Sequence, residues 1–344
     1  MSATQKALVL PEKFGQFTIQ EAPIPSPGPG ELVIKVQAAA LNPVDWKIRK
    51  YDIEVGGYPA VVGYDLAGDV ETVGDGVVGF HKGDRVFTQA VVRQGFHGSF
   101  QQYFIAEAPA TAKVPPGFSY DEVSTIPVAL STAYTGLYAG LPNGLGIAFP
   151  EDSPSKYSDT PILILGGASS VGQVVIQLAK YSGFNPIITT ASLQHENVLK
   201  EFGATHVLDR RLTIADLQKE VSKIAGKPVE FVYDSISLEA TQQAAFEVVA
   251  PGGRVALVLP PVVEVPEGKH VAGVHAGLKK PHNHPLLYDL YHDKAYNLVA
   301  SGVVKPNRFE VLPNGLAGIP DGLARLEADQ VSRLKLVAHP QETP

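Results

Sequence analysis

The chain has 344 residues, a formal net charge of −7 and no basic run, which argues against nucleic acid or an anionic membrane as its main partner. Hydrophobic residues make up 44% and charged residues 18%, so a large core is available and disorder is not expected. No cysteine is present, which excludes disulfides, thiolate metal ligands and thiol nucleophiles. Because no signal-peptide pattern and no apolar run of about 20 residues occurs, we expect a cytoplasmic protein.

Short strands and turns dominate the first third of the chain. Residues 31–38, 68–74 and 83–87 have the composition of strands, and turn clusters rich in glycine and proline separate them. No helical periodicity of good length occurs before about residue 120. The pattern predicts a β-rich, barrel-like domain over residues 1–124.

From about residue 119 onward, strands alternate with helices, which is typical of a parallel sheet with crossover helices. Predicted strands are 161–165, 186–190, 205–208, 229–233 and 253–259, and predicted helices are 171–181, 194–202 and 213–225. We therefore predict a doubly wound Rossmann domain over residues 125–280. The tail, 281–344, contains a predicted helix over 287–300 and short strands, and we expect it to return to the first domain. Residues 143–159, rich in Pro, Gly and Asp, are expected to form an inserted surface loop.

The segment Gly166-Gly167-Ala168-Ser169-Ser170-Val171-Gly172 lies between a buried strand and a helix, where amides and a helix dipole can hold a pyrophosphate. Gly167 and Gly172 have the outer spacing of G-x-G-x-x-G, with Ser169 in the place of the middle glycine. The same spacing fits a P-loop, but Gln173-Val174 replace its lysine and hydroxyl residue. We expect an aspartate at position 172 to repel the pyrophosphate with little loss of fold.

The choice between NADH and NADPH is predicted from residues 188–195, which end the second strand of this domain. No carboxylate is present there to bind the ribose hydroxyls. Ser192 and His195, with Lys200 one turn further, suit a 2′-phosphate instead. The sequence therefore favours NADPH as cofactor, although a solvated helix face is the alternative meaning of His195 and Lys200.

Several segments of the chain, in the same order, resemble motifs of one family. The residues that carry the resemblance are Leu41-Asn42-Pro43-Val44-Asp45, Gly63-Tyr64-Asp65-Leu66-Ala67-Gly68, Gly83-Asp84-Arg85-Val86, Gly98-Ser99-Phe100 and Thr132-Ala133-Tyr134. The chain resembles the zinc-independent branch of the medium-chain dehydrogenase/reductase superfamily, which includes quinone oxidoreductases and fungal trans-acting enoyl reductases of polyketide pathways. This resemblance implies a GroES-like β-rich barrel domain, a Rossmann domain and an NADPH-dependent reductase.

The resemblance also implies site residues. It places the zinc-binding cysteine of the alcohol dehydrogenases at Asn42 and their His-Glu pair at Tyr64-Asp65. Asparagine and tyrosine are poor zinc ligands, so we expect no metal. For the close pair His282 and His284, we expect a surface loop. Together with the glycine motif, the implied cofactor-binding set is Asp45, Lys47, Thr132, Gly167, Ser169, Ser170, Val171, Gly172, Ser192, His195, Arg210, Leu257, Val258 and Lys335.

A reductase without a Lewis acid is suited to conjugate reduction, in which hydride adds to the β-carbon of an enone, enoyl thioester or quinone and the enolate is then protonated. Tyr64, Lys47 and Tyr51 are the candidate catalytic donors, with packing, cofactor contact or surface exposure as their alternative roles. A metal-free carbonyl reductase and a non-catalytic NADPH-binding protein subordinate to a synthase remain alternatives. The sequence predicts a small-molecule substrate and leaves open a polyketide synthase partner and a monomer or homodimer.

Overall fold

The computed structural model describes residues 3–53, 55–153, 155–278 and 280–344. The chain separates into two compact units. The first unit comprises Met1–Val128, Gly277–Gly302 and Pro306–Pro344, and the second comprises Ala129–Ala276 and Val303–Lys305. The first unit is therefore discontinuous in sequence: the second unit is inserted after Val128, and the chain returns to the first unit at Gly277.

Strands and helices follow each other throughout the described residues. The strands are β1 (Thr4–Leu10), β2 (Thr18–Pro23), β3 (Glu31–Ala40), β4 (Ala60–Val61), β5 (Asp65–Val73), β6 (Arg85–Gln89), β7 (Tyr103–Glu107), β8 (Thr111–Lys113), β9 (Ile162–Leu165), β10 (Ile187–Ala191), β11 (His206–Asp209), β12 (Val229–Asp234), β13 (Val249–Leu257), β14 (His270–Gly273), β15 (Phe309–Val311) and β16 (Lys335–Ala338). The α-helices are α1 (Pro43–Tyr51), α2 (Tyr120–Ser124), α3 (Pro127–Tyr138), α4 (Ser170–Tyr181), α5 (Glu196–Phe202), α6 (Ile214–Ala225), α7 (Glu239–Val248), α8 (His284–Asp289), α9 (Ala295–Ala300) and α10 (Ile319–Glu327), and a π-helical turn, Leu290–Lys294, joins α8 to α9. Among the described residues, no helix has the length and apolar character that crossing a membrane requires.

The first unit is built on antiparallel sheets. Within the described residues its larger sheet has the order β15-β16-β3-β5-β6-β8, and β7 also pairs with β3. A smaller sheet has the order β2-β1-β4. The late strand β16 lies antiparallel to β3, with Val337 opposite Ala40, so residues from the end of the chain complete the sheet that residues 31–40 begin.

The second unit contains a parallel sheet of the order β11-β10-β9-β12-β13-β14 within the described residues. Its central strands β9 and β10 are buried along their whole length, as expected for strands covered by helices on both faces. Counted from β9, the order is that of a dinucleotide-binding fold, in which ligands bind beyond the carboxyl ends of the strands. The predicted Rossmann architecture is confirmed.

Helix α1 contradicts the expectation that no helix of good length precedes residue 120. Asn42 is its N-cap, Pro43 begins it, and the Asp45 carboxylate accepts the Asn42 amide at 2.7 Å. These are the residues of a helix start, since proline at the first position and an acidic residue at the third both favour one. The nine-residue length hid this helix from a search for periodicity.

The predicted loop over residues 143–159 contains no helix or strand in its described part, but much of it is buried. Leu145, Ile147 and Tyr157 are core residues. Phe149 stacks on Tyr138 with ring centroids 4.7 Å apart. The expectation of a surface loop was therefore wrong in part, because apolar residues between the Gly and Asp residues bury this segment against the second unit.

Candidate functional site

The glycine-rich turn of the second unit joins β9 to α4. Gly166 has a positive φ of 78°, which glycine adopts at low cost. A Cβ atom at Gly167 would overlap the Thr189 side chain, and one at Gly172 would overlap the Gly166 carbonyl oxygen. Both glycines are thus required by close packing. The expectation that Gly172→Asp would spare the fold was wrong in this respect, because its Cβ alone displaces the turn.

The first turn of α4 offers donors to an anion. The Ser169 side chain caps the helix and accepts the Gly172 amide at 2.9 Å. Within the described part of the chain, the amides of Ser170 and Val171 have no hydrogen-bond partner. Free amides at the positive end of a twelve-residue helix fit the pyrophosphate of a dinucleotide.

The loop that follows β12 supports the glycine-rich turn, and no local sequence pattern indicates this support. The Ser235 hydroxyl lies 2.6 Å from the Leu165 carbonyl oxygen and 3.0 Å from the Ser169 hydroxyl. Asp234 accepts the amides of Ile236 and Ser237 at 3.0 and 2.8 Å, and burial raises the pKa of its carboxyl. Only the parallel pairing of β12 with β9 brings this loop to the turn.

Most of the remaining predicted cofactor residues of the second unit end or directly follow strands at the same edge of the sheet, whereas Thr132 lies in helix α3. Ala191 is paired with Asp209, so Ser192 and Arg210 leave neighbouring strands side by side. In α3, the Thr132 carbonyl oxygen accepts the Tyr233 hydroxyl at 2.8 Å. Leu257 ends β13, and the Val258 amide donates to Ser237 at 2.9 Å.

Lys200 and His195, which the sequence offers for the 2′-phosphate, have partners that the sequence did not reveal. Lys200 is exposed and lies 2.7 Å from Glu196, one helical turn away, so its charge is already compensated. His195 is half-buried and belongs to the short 3₁₀ helix Leu193–His195. Its ring Nε2 atom lies 3.3 Å from the side-chain Nε2 atom of Gln194.

Asp209 is a carboxylate at the same edge that lies outside residues 188–195, because it ends β11 and does not follow β10. Its oxygen lies 2.7 Å from the Arg211 guanidinium. Hydrogen bonds from the Arg211 side chain and amide lower the pKa of Asp209 to about 2. Arg210, by contrast, forms no salt bridge within the described residues.

In the first unit, four buried polar side chains converge: Asn42, Asp45, Asp65 and Lys335. The Lys335 ammonium donates to Asn42 Oδ1 at 2.8 Å and to Asp65 Oδ2. Asn42 Nδ2 also donates to Asp65 Oδ2 at 3.0 Å, and Asp65 Oδ1 accepts the Val128 amide at 2.7 Å. Residues from the N-cap of α1, from β5 and from β16 thereby form one ion-pair network, in which Lys335 is 3% exposed and Asp65 is fully buried.

Asp45 lies at this network and is fully buried. Its Oδ2 atom accepts the Asn42 amide, whereas its Oδ1 atom is buried without a hydrogen-bond partner. Burial raises the pKa of Asp45 to about 8, and the negative charge of Asp65 adds to the rise. The Asn42 amide and the Lys335 charge act in the opposite direction but do not cancel it.

The predicted donors Tyr64, Lys47 and Tyr51 lie in the same unit. Tyr64 is half-buried directly before β5, and burial together with the charge of Asp45 raises its pKa far above that of a free tyrosine. Lys47 is half-buried on α1, and desolvation lowers its pKa. Tyr51, at the end of α1, is 58% exposed and lies 5.9 Å from the Trp46 ring.

A zinc ion does not fit this cluster. The two oxygens that would face a cation, on Asn42 and Asp65, already bind the Lys335 ammonium. In the described ranges, no group of three or more His, Cys, Asp or Glu side chains is arranged to hold a metal. His282 and His284 lie in the 3₁₀ helix Pro281–Asn283 and at the start of α8, not in the surface loop that was expected.

Comparison with known proteins matches both units to one family. Residues 28–116 match the Alcohol dehydrogenase GroES-like domain, and residues 170–261 match the Zinc-binding dehydrogenase domain. The chain is 32% identical to "Dehydrogenase azaJ" of Aspergillus niger over 97% of this chain and 98% of that one. It is 32% identical to "Trans-enoyl reductase fsr4" of Gibberella fujikuroi over 76% and 79% of the two chains. The structure of mycobacterial Rv1454c complexed with NADPH has the same fold, with a TM-score of 0.76, 23% identity and coverage of 98% and 100%.

The fold and the glycine-rich turn define an oxidoreductase that depends on a nicotinamide dinucleotide. The relatives specify it further. The chain belongs to the medium-chain dehydrogenase/reductase superfamily, in its enoyl-reductase-like branch, so the resemblance found in the sequence is confirmed.

Proposed function

We propose that this chain is an NADPH-dependent reductase of carbon–carbon double bonds conjugated to a carbonyl group, and that it works without zinc. The observation that carries the proposal is the Lys335 ammonium, which binds Asn42 and Asp65 where the zinc-dependent relatives hold metal. With that position taken by a lysine, no Lewis acid polarises a simple ketone. A conjugated acceptor needs less help, because its developing charge spreads onto the carbonyl oxygen.

When bound at the glycine-rich turn, NADPH would supply the hydride for the β-carbon of the acceptor. The protein then has to stabilise the enolate and deliver one proton to the α-carbon. Tyr64 and Lys47 are suited to donate hydrogen bonds to the enolate oxygen, since both are half-buried and donors in a poorly solvated site stabilise charge strongly. Tyr51, which is more exposed, is assigned to the outer part of the same donor set.

For the cofactor, we assign the pyrophosphate to Gly167, Ser169, Ser170, Val171 and Gly172. The 2′-phosphate is assigned to Ser192, His195 and Arg210, because Arg210 forms no salt bridge in the described chain and leaves the sheet beside Ser192. No carboxylate occurs among residues 192–195 directly after β10, Glu196 is paired with Lys200, and Asp209 is paired with Arg211. These features support an affinity for NADPH at least about tenfold higher than for NADH, which corresponds to a difference of about 1.4 kcal/mol in binding free energy. The NADPH bound by the mycobacterial neighbour agrees with this choice.

The name of the Gibberella relative, trans-enoyl reductase, supports an enoyl thioester as the physiological acceptor. We propose that such a thioester is presented by a separate synthase of the polyketide type. A comparison of a free enoyl thioester with the same acyl group on a carrier protein tests this. Preference for the carrier-bound form supports a synthase partner, and equal rates argue for a free substrate.

The decisive experiment follows NADPH oxidation with matched enone, quinone and ketone substrates, with product analysis and elemental analysis of the protein. We expect the saturated ketone from the enone and no stoichiometric metal. Tyr64→Phe should lower turnover by about 10²-fold, the typical effect of removing one such donor. The matched control is Tyr296, which is 39% exposed in the same unit, and Tyr296→Phe should retain full activity. Allylic alcohol as the main product would favour a metal-free carbonyl reductase, and no turnover with any panel would favour a non-catalytic NADPH-binding role.

A further inference from the structure

Gln242, a residue of α7, has a completely buried side chain that joins two loops at the carboxyl edge of the parallel sheet. Its Nε2 atom donates to the Ser237 carbonyl oxygen at 2.9 Å, in the loop that follows β12. The same atom donates to the Pro260 carbonyl oxygen at 3.0 Å, and Oε1 accepts the Val262 amide at 2.8 Å. Pro260 and Val262 belong to the loop that follows β13. A single amide side chain therefore fastens both loops to α7.

Ser237 connects the same two loops a second time. Its hydroxyl donates to the Asp234 carbonyl oxygen at 2.9 Å and accepts the Val258 amide at 2.9 Å. Ser237 is buried and has a positive φ of 56°, which is uncommon for a residue with a Cβ atom. Backbone strain of this kind persists only where the surroundings impose it, and it is concentrated at functional segments. We call Ser237 and Gln242 the loop bridge.

The packing of α7 does not require an amide at position 242. The neighbouring core residues of this helix, Ala244, Ala245 and Phe246, are apolar and belong to the hydrophobic core of the second unit. An unbranched apolar side chain of similar size would fill the same volume, since volume-conserving exchanges in a core are tolerated best. The amide is needed instead where it forms hydrogen bonds, at the backbone of the two loops.

The loop bridge lies on one half of the dinucleotide-binding sheet. In this fold each half binds one mononucleotide, and the half whose second strand is followed by the adenosine-ribose contacts consists here of β9, β10 and β11. We therefore expect β12, β13 and β14 to face the nicotinamide half of the cofactor. The loop that follows β12 also contacts the glycine-rich turn, because the Ser235 hydroxyl lies 3.0 Å from the Gly166 carbonyl oxygen. This loop is thus hydrogen-bonded both to the turn and to the loop that follows β13.

We propose that Gln242 is a positioning residue for hydride transfer, which holds the loop after β13 and the glycine-rich turn in a fixed arrangement and so sets the position of the nicotinamide ring. This inference rests on the proposed NADPH-dependent reduction. Gln242 acts through the backbone of Pro260 and Val262. Hydride transfer to the β-carbon requires the reacting atoms to be close and aligned, and a displacement of about 1 Å can lower its rate about 10²-fold. A loop fixed by a buried amide prevents such a displacement.

The test compares wild type with Gln242→Met, which keeps an unbranched side chain of similar length and removes the three hydrogen bonds. Hydride transfer is measured in a single turnover with a simple enone, so that binding and product release do not affect the rate. We expect this rate to fall between about 10-fold and 100-fold. The affinity for adenosine 2′,5′-bisphosphate, a fragment without the nicotinamide half, should stay at the wild-type value.

A second measurement needs no substrate. The reduced nicotinamide ring is fluorescent, and the anisotropy of its emission at saturating protein shows how firmly the ring is held on the nanosecond timescale. We expect a lower anisotropy for NADPH bound to Gln242→Met than for NADPH bound to wild type. Ser237→Ala removes the contact with the Val258 amide and should lower the anisotropy in the same direction. If Gln242→Met does not fold, Ser237→Ala decides by the same two measurements.

Gln177 provides the matched control, because its side chain is also buried and hydrogen-bonded to backbone. Its Nε2 atom donates to the Gln173 carbonyl oxygen at 3.0 Å, and its Oε1 atom accepts the Lys305 amide at 2.7 Å. Gln177→Met should lower Tm about as much as Gln242→Met does and leave the anisotropy and the hydride-transfer rate unchanged. A common loss of stability therefore cannot imitate the expected result.

Wild-type anisotropy and a wild-type hydride-transfer rate in Gln242→Met would overturn the proposal, and equal changes in Gln177→Met would do the same. A loss of affinity for adenosine 2′,5′-bisphosphate would assign Gln242 to the support of the adenosine half and would also overturn it. Lower anisotropy in Gln242→Met, found in a protein that reduces no enone, would support the role of Gln242 in holding the ring and would reject the proposed conjugate reduction.

Discussion

The two units hold their functional groups in opposite ways. In the second unit, the glycine-rich turn presents backbone amides, and its glycines are required because no Cβ fits at Gly167 or Gly172. In the first unit, the cluster of Asn42, Asp65 and Lys335 is made of buried side chains, and their charges have to balance. A site of backbone donors depends on space, whereas a site of buried side chains depends on charge. The two should therefore fail in different ways when residues are changed.

The largest effect is expected in the first unit. Asp65→Asn leaves the Lys335 ammonium buried without a counterion, which should lower the free energy of unfolding by about 3–5 kcal/mol and Tm by roughly 10 °C. The double variant Asp65→Asn/Lys335→Met, which removes both charges, should recover much of that loss. Thermal and urea unfolding measure both. The matched control is the exposed salt bridge between Lys50 and Glu327, whose charged atoms lie 2.8 Å apart. Glu327→Gln should lower the free energy of unfolding by less than about 1 kcal/mol. Equal losses at the two pairs would contradict a dependence on buried charge.

The second-largest effect is expected on NADPH affinity, from a substitution in the glycine-rich turn. Gly172→Asp should weaken NADPH binding at least about 30-fold, because the new carboxylate repels the pyrophosphate and competes with it for the positive end of α4, an interaction worth up to about 2 kcal/mol, and the displaced turn adds to the loss. Fluorescence titration gives the affinity. Gly140→Asp is the control, because a Cβ there meets nothing within 4 Å. An unchanged affinity in Gly172→Asp would show that the dinucleotide binds elsewhere.

The smallest effect concerns cofactor choice. Arg210→Ala should lower NADPH affinity roughly tenfold and leave NADH affinity unchanged, because a charge-assisted hydrogen bond to an exposed phosphate is worth about 1.5 kcal/mol. Lys200 is already paired with Glu196 in the wild-type protein, so Lys200→Ala should change the affinity for either cofactor less than about twofold. Titrating both cofactors against both variants separates the two residues. If Lys200 proves to be the more important residue, the assignment of the 2′-phosphate is wrong.

The same contrast explains what the sequence could predict. The parallel sheet and its glycine-rich turn follow from local patterns, because a buried strand, a glycine motif and a helix are consecutive in the chain. The contacts among Asn42, Asp65 and Lys335 join residues separated by 23 to 293 positions, and no local pattern indicates such contacts. Helix α1 was missed although its Asn-Pro start was present, because nine residues give little periodicity. The support from Ser235 was missed because it depends on the pairing of β12 with β9.

The position of Lys335 in the chain has a consequence for the order in which the protein is assembled. Asp65 and its ammonium partner are 270 residues apart, and the whole second unit is synthesised between them. Since chains emerge from the ribosome N-terminus first, Asp65 has no counterion while β3 and β5 are already available to pair. The second unit can form before β16 is synthesised. In the first unit, Asp65 gains its Lys335 counterion only when β16 pairs with β3. The chain thus completes last the part of the molecule that it begins first.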